Sequence, residues 1–166
     1  MLTEAHFLSV KEAKQLKPDS ATVVISILDR SEEQDRPQHL AQFRDHLVLC
    51  FEDVYEEMNA AFDGTLWPDE LSEQEHLLVT MGRGEKAPEL SDAKQIVDFI
   101  YKHHRQAERV RLVVHCHGGI SRSAAVAEWV AVACGVPLPQ LGRDGRTTDG
   151  ANKRLMRLMN KAAGRF

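Results

Sequence analysis

The stretch from 109 to 134 narrows the choice of fold more than any other part of the chain. Arg109-Val110-Arg111-Leu112-Val113-Val114-His115 is a β-branched apolar run. A loop containing Gly118 and Gly119 separates it from a helix-forming segment over residues 122–134, which stops at Gly135 and Pro137. A strand that is apolar on both faces needs cover on both faces, which a parallel sheet between helices provides. Residues 5–10 and 21–28 read as further strands with a short helix between them. Leu47-Val48-Leu49-Cys50-Phe51 reads as another, apolar enough for burial on two faces. Behind Ser91, an expected N-cap, Ala93, Ile96, Val97, Ile100 and Tyr101 recur at steps of three and four, the pattern of an amphipathic crossover helix. A last helix is expected over 151–163, with Leu155, Met156, Leu158 and Met159 on its inner side. This order of elements implies an α/β fold, a mainly parallel central sheet flanked by helices.

At 166 residues the chain has the length of one domain, and no linker or internal repeat divides it, so 1–166 is read as a single unit. Two stretches leave the plan. Residues 55–87, with acidic clusters, Trp67-Pro68-Asp69 and Gly82-Arg83-Gly84, read as an insertion or lid. Residues 135–150 form a turn-rich connection. Lys and Arg number 21 against 25 Asp and Glu, a formal charge of −4, which argues against a nucleic-acid partner and requires any anion site to be local. The chain contains no apolar run long enough for a membrane helix, and its first residues lack the basic-then-apolar pattern of an export signal. A cytoplasmic protein is the expectation. Cys50, Cys116 and Cys134 are too widely spaced for a disulfide framework or a paired metal site.

The chemistry is concentrated at the end of the 109–115 strand. Cys116 stands where that strand ends, the loop His117-Gly118-Gly119-Ile120-Ser121 follows, and Arg122 opens the next helix. Backbone N–H groups of a tight loop at a helix N-terminus converge on an anion, and the helix dipole adds about half a positive charge there. The same field stabilises a thiolate, making Cys116 a strong nucleophile, while the planar fork of Arg122 matches two oxygens of a tetrahedral dianion. A lone cysteine is more often a buried structural thiol, but few such thiols sit in an anion cradle. A thiolate beneath a phosphate cradle implies phosphoryl transfer to sulfur.

His115-Cys116-x-x-Gly119-x-x-Arg122-Ser123 resembles the signature loop of the cysteine-dependent protein tyrosine phosphatases, and Gly119-Ile120-Ser121-Arg122-Ser123 is most similar to their dual-specificity branch. The resemblance implies a phosphomonoester hydrolase of phosphorylated proteins that needs neither metal nor other cofactor. In it Cys116 is the nucleophile and Arg122 the phosphate clamp. His117, Gly118, Gly119, Ile120 and Ser121 build the cradle with Arg122, Ser123 assists the sulfur as leaving group, and His115 orients the loop. Ala151-Asn152-Lys153-Arg154-Leu155 is similar to the Asn-containing helix start that such enzymes keep near the loop.

The family also uses an aspartate as general acid, and here two remain open. Asp53 follows the third expected strand, as the acid should; Asp69 belongs to a literal Trp67-Pro68-Asp69 but follows no clear strand. Strand placement favours Asp53, and Glu52 is a fallback. Asp92 suits the first turn of a helix. Cys50, on the strand before Asp53, reads as a small core residue, with a disulfide to Cys116 as the alternative. Two rival functions stay in view: a phosphoprotein-binding module without catalysis, and a rhodanese-like or arsenate-reductase-like thiol enzyme.

Overall fold

The computed structural model describes residues 1–58 and 66–165. Its strands are β1 (Leu2–Ser9), β2 (Thr22–Leu28), β3 (Asp45–Cys50) and β4 (Val110–Cys116), and its helices α1 (Val10–Lys14), α2 (Glu73–Val79), α3 (Leu90–His104), α4 (Arg122–Cys134) and α5 (Lys153–Ala162). The strands form one sheet in the order β1-β4-β2-β3, with every pairing parallel. This is the expected α/β architecture. β4 lies in the interior, with Ser9 of β1 opposite Cys116 on one side and Ser26 of β2 opposite His115 on the other. In an open parallel sheet the carboxyl ends of such strands are where ligands are taken, and Cys116 ends β4 there.

Side chains of a strand alternate between faces, and here each face has its own cover. Leu112, Val114 and Cys116 join Ala5, Val23, Ile25 and Ile27 in the larger core, packed beneath α3, α4 and α5. Val113 turns to the opposite face, with Leu8, Val24, Leu40 and Phe43. Because α4 is pressed between β1, β4 and α5, residues 124–127, Trp129 and Val130 are all buried, and the helix is apolar around most of its circumference. It ends at Gly135, whose φ of 65° is the left-handed C-cap glycine adopts cheaply.

Several local expectations are corrected. β1 runs over Leu2–Ser9 instead of 5–10, because Ser9 and Glu12 form a capping box that turns Val10 into the first residue of α1. α3 starts at Leu90 with Glu89 as its N-cap, not Ser91; Asp92 sits in the first turn and accepts the Glu89 backbone N–H at 2.9 Å. β3 is not buried on both faces. It is an edge strand of the sheet, so Val48 is 44% exposed and Cys50 faces solvent instead of filling the core. β2 separates it from β4, which leaves Cys50 unpaired with Cys116.

Part of the expected excursion over 55–87 falls on residues 59–65, outside the described residues. The remainder holds a turn at Glu56–Met58, an irregular stretch around Trp67, and α2, whose N-cap Ser72 is boxed with Glu75. Trp67 is buried with Val54, Val79 and Ala87 in a small core of its own. Among the described residues no helix is long and apolar enough to cross a membrane.

Candidate active site

Cys116 is 2% exposed, and its Sγ lies 3.2 Å from the Gly119 backbone N–H donor and 3.2 Å from Ser123 Oγ. The loop can close this tightly because Gly119 has a φ of +70° and lies against β1. A Cβ built there would stand 2.4 Å from the Ser9 backbone nitrogen, too close for any other residue. One further backbone bond pins the loop to α1: the Val10 N–H donates to the His117 carbonyl at 3.1 Å. Ser121 is the N-cap of α4, so the loop ends where that helix presents its N-terminal amides.

Arg122 is 4% exposed and held from behind. One terminal nitrogen donates to the Phe51 carbonyl at 2.9 Å, and the other to Glu32 Oε2 at 3.1 Å. Its Nε is buried and has no hydrogen-bond partner among the described residues. Burial alone works against the charge, but the negative charges of Cys116, Glu32 and Asp53 outweigh it, so the guanidinium is held protonated more firmly than a free arginine. Sequence reading missed Glu32. The signal that finds it is the box Asp29-Arg30-Ser31-Glu32 behind β2: the Asp29 N–H donates to Glu32 Oε2 at 3.0 Å, which fixes that carboxylate at the sheet's carboxyl edge.

Of the two candidate acids, the fold brings Asp53 to the loop. Asp53 Oδ1 accepts from Ser121 Oγ at 2.7 Å and from Asn152 Nδ2 at 2.8 Å, while Oδ2 accepts from the Tyr55 hydroxyl at 3.1 Å. Asn152 is the N-cap of α5, and it also donates to the Val54 carbonyl at 2.8 Å. The start of α5 therefore ties the Asp53 segment to the Cys116 loop. Asp69 points elsewhere, into Arg157 at 2.8 Å and Lys161 of α5, and these hydrogen bonds, Lys161 foremost, hold its carboxyl below the usual range. Glu52 is buried against Arg83, and burial raises its pKa despite that partner.

His115 is fully buried, and neither ring nitrogen has a well-formed hydrogen bond among the described residues. Burial lowers its pKa to about 4. The imidazole is thereby kept neutral at ordinary pH, although its contact with the Cys116 backbone works in the opposite direction. His117 projects at the rim, its ring 3.8 Å from Glu32 and 3.7 Å from Asp35. Ile120 is 65% exposed, and Gly118 has open space around it.

A scan against protein-family models and searches of the curated proteins and of the solved structures returned no match to this chain.

Proposed function

We propose that the chain is a metal-independent phosphomonoester hydrolase of phosphorylated proteins, a protein tyrosine or dual-specificity phosphatase working through a cysteinyl-phosphate intermediate. The observation that carries this reading is a buried sulfur receiving a loop amide at 3.2 Å, in the same loop as a buried arginine whose Nε lacks a partner among the described residues. An unpaired buried donor is costly, and a phosphoryl oxygen would satisfy it. The signature-loop resemblance points the same way.

In this reading the Cys116 thiolate attacks phosphorus in line. An S–P bond forms as the P–O bond to the leaving group breaks, and the Asp53 carboxyl passes its proton to the departing oxygen. Arg122 and the loop amides hold the equatorial oxygens, already oriented before substrate arrives because Glu32 and the Phe51 carbonyl fix the guanidinium from the far side. In the second step water attacks phosphorus and gives its proton to the Asp53 carboxylate. The S–P bond breaks with Ser123 donating to the sulfur, and inorganic phosphate is released. Glu32 and Asp53 beside Arg122, with Asp35 near His117 at the rim, disfavour densely anionic substrates such as multiply phosphorylated headgroups, and suit a monoester. Three free thiols fit a cytoplasmic setting.

The test is hydrolysis of an aryl phosphate in EDTA. Wild type turns it over, Cys116→Ser does not, and Arg122→Lys loses on the order of 10² to 10³ in kcat although its charge is kept. A metal requirement, or activity surviving in Cys116→Ser, overturns the reading.

A further inference from the structure

Asp53 stands between the Cys116 loop and a second cavity. Its Oδ1 faces the loop through Ser121, while its Oδ2 takes the hydroxyl of Tyr55, and both residues line a cleft of about 530 Å³. The rest of the lining is apolar but for Arg83, and includes Val54, Met58, Leu78 and Met81. These walls are unusually wet: Met58 is 82% exposed, Leu78 54% and Met81 75%. Met81 is also strained. Its φ of 53° lies in the left-handed region, which glycine or asparagine enters more cheaply than an unbranched apolar residue. A large apolar side chain kept in strained backbone and presented to solvent at a cleft is the kind of local cost that function explains.

We propose that this cleft receives the body of the leaving group, and that Leu78 and Met81 select aryl phosphates carrying a second large apolar group. On a phosphoprotein this means a phosphotyrosine beside a large apolar residue. The inference rests on the proposed hydrolase. In that reaction the leaving oxygen must be in reach of Asp53 and opposite the sulfur, so whatever is attached to the oxygen lies on the side of Asp53 away from the loop. The cleft that Asp53 and Tyr55 share is lined by none of residues 116–122, which sets it beyond Asp53 from the loop. Methionine suits such a wall because its unbranched thioether adapts to differently shaped apolar partners.

The experiment compares 4-phenylphenyl phosphate with phenyl phosphate, whose leaving groups are of nearly equal acidity, so that their kcat/KM ratio reads the apolar extension. Wild type is expected to favour the larger ester by at least about tenfold, the range that apolar contacts supply in a pocket. Met81→Asn, which suits the left-handed backbone, is expected to melt at or above the wild-type temperature while the ratio falls by about tenfold. Leu78→Ser, at an exposed helical position, should lower it in the same direction. A ratio near one in wild type, or one unmoved by both substitutions while phenyl phosphate is still hydrolysed, overturns the cleft assignment and leaves the hydrolase standing. No turnover of either ester removes the hydrolase reading and this one with it.

Discussion

Asp53 and Asp69 are both preceded by an apolar segment, and what separates them is the company their carboxylates keep. Asp53 is held by the hydroxyl of Ser121 and the amide of Asn152 beside the Cys116 loop, whereas Asp69 is neutralised by two cations of α5. Protonation matters most for poor leaving groups, so Asp53→Asn should cost on the order of 10² to 10⁴ on phosphotyrosine and much less on nitrophenyl phosphate. Asp69→Asn should cost the same small factor on both. Steady-state kinetics on the two substrates checks this, and leaving-group dependence in the Asp69 variant would contradict it. His115 supplies a separate test. Its proton binds near pH 4 in the fold and near 6.5 in the unfolded chain, so between those values the unfolded state holds more protons and stability falls as the pH drops. Urea unfolding should show this group removing about 2 kcal/mol of stability between pH 7 and pH 5. His115→Asn should lose that much less over the same interval, and equal losses would show that the buried imidazole is not the cause.

Among the elements, α5 joins the excursion to the body of the fold through one buried side chain. Arg154 is fully buried and donates to the Pro88 and Pro68 carbonyls at 2.9 Å each and to Glu56 at 3.1 Å, with its guanidinium 5.4 Å from the centre of the Trp67 ring. Arg154→Ala strips the buried Pro88 carbonyl, the part-buried Pro68 carbonyl and the buried Glu56 carboxylate of a partner, so a loss of about 3 to 5 kcal/mol is expected in denaturant unfolding. A loss under about 1 kcal/mol would mean that Arg157, the other partner of Glu56, carries the joint. Nothing in the pattern of α5 distinguishes Arg154 from the solvated Lys153 beside it, because period alone says which face a residue takes and not what long-range partner waits there. The interior strands were legible for the opposite reason: β2 and β4 are apolar on both faces and have one place to go. β3 was misjudged because its apolar letters resemble theirs, and only the strand order, set by long-range pairing, makes it an edge.

At the scale of the molecule, strand, loop and helix are consecutive in the chain, so Cys116, Gly119 and Arg122 meet without help from distant sequence. That is why this part of the site was readable. Glu32 and Tyr55 were not, because they reach the loop only when β2 and β3 end at the same edge of the sheet as β4. The tie from Asn152 to Asp53 spans 99 positions and could be anticipated from the sequence only as a helix start near the loop. A formal charge of −4 requires any favourable anion binding to be local, and in the proposed reading the buried Arg122 and the loop amides supply it. The account therefore stands or falls on where phosphorus goes. Asp53→Asn should slow hydrolysis of the cysteinyl-phosphate intermediate as well as its formation, so quenching that variant during turnover of nitrophenyl phosphate in EDTA should trap it for peptide mass analysis. The account predicts one phosphoryl group on the peptide containing Cys116 and none on those containing Cys50 or Cys134; turnover with no phosphoryl group on Cys116 would contradict it.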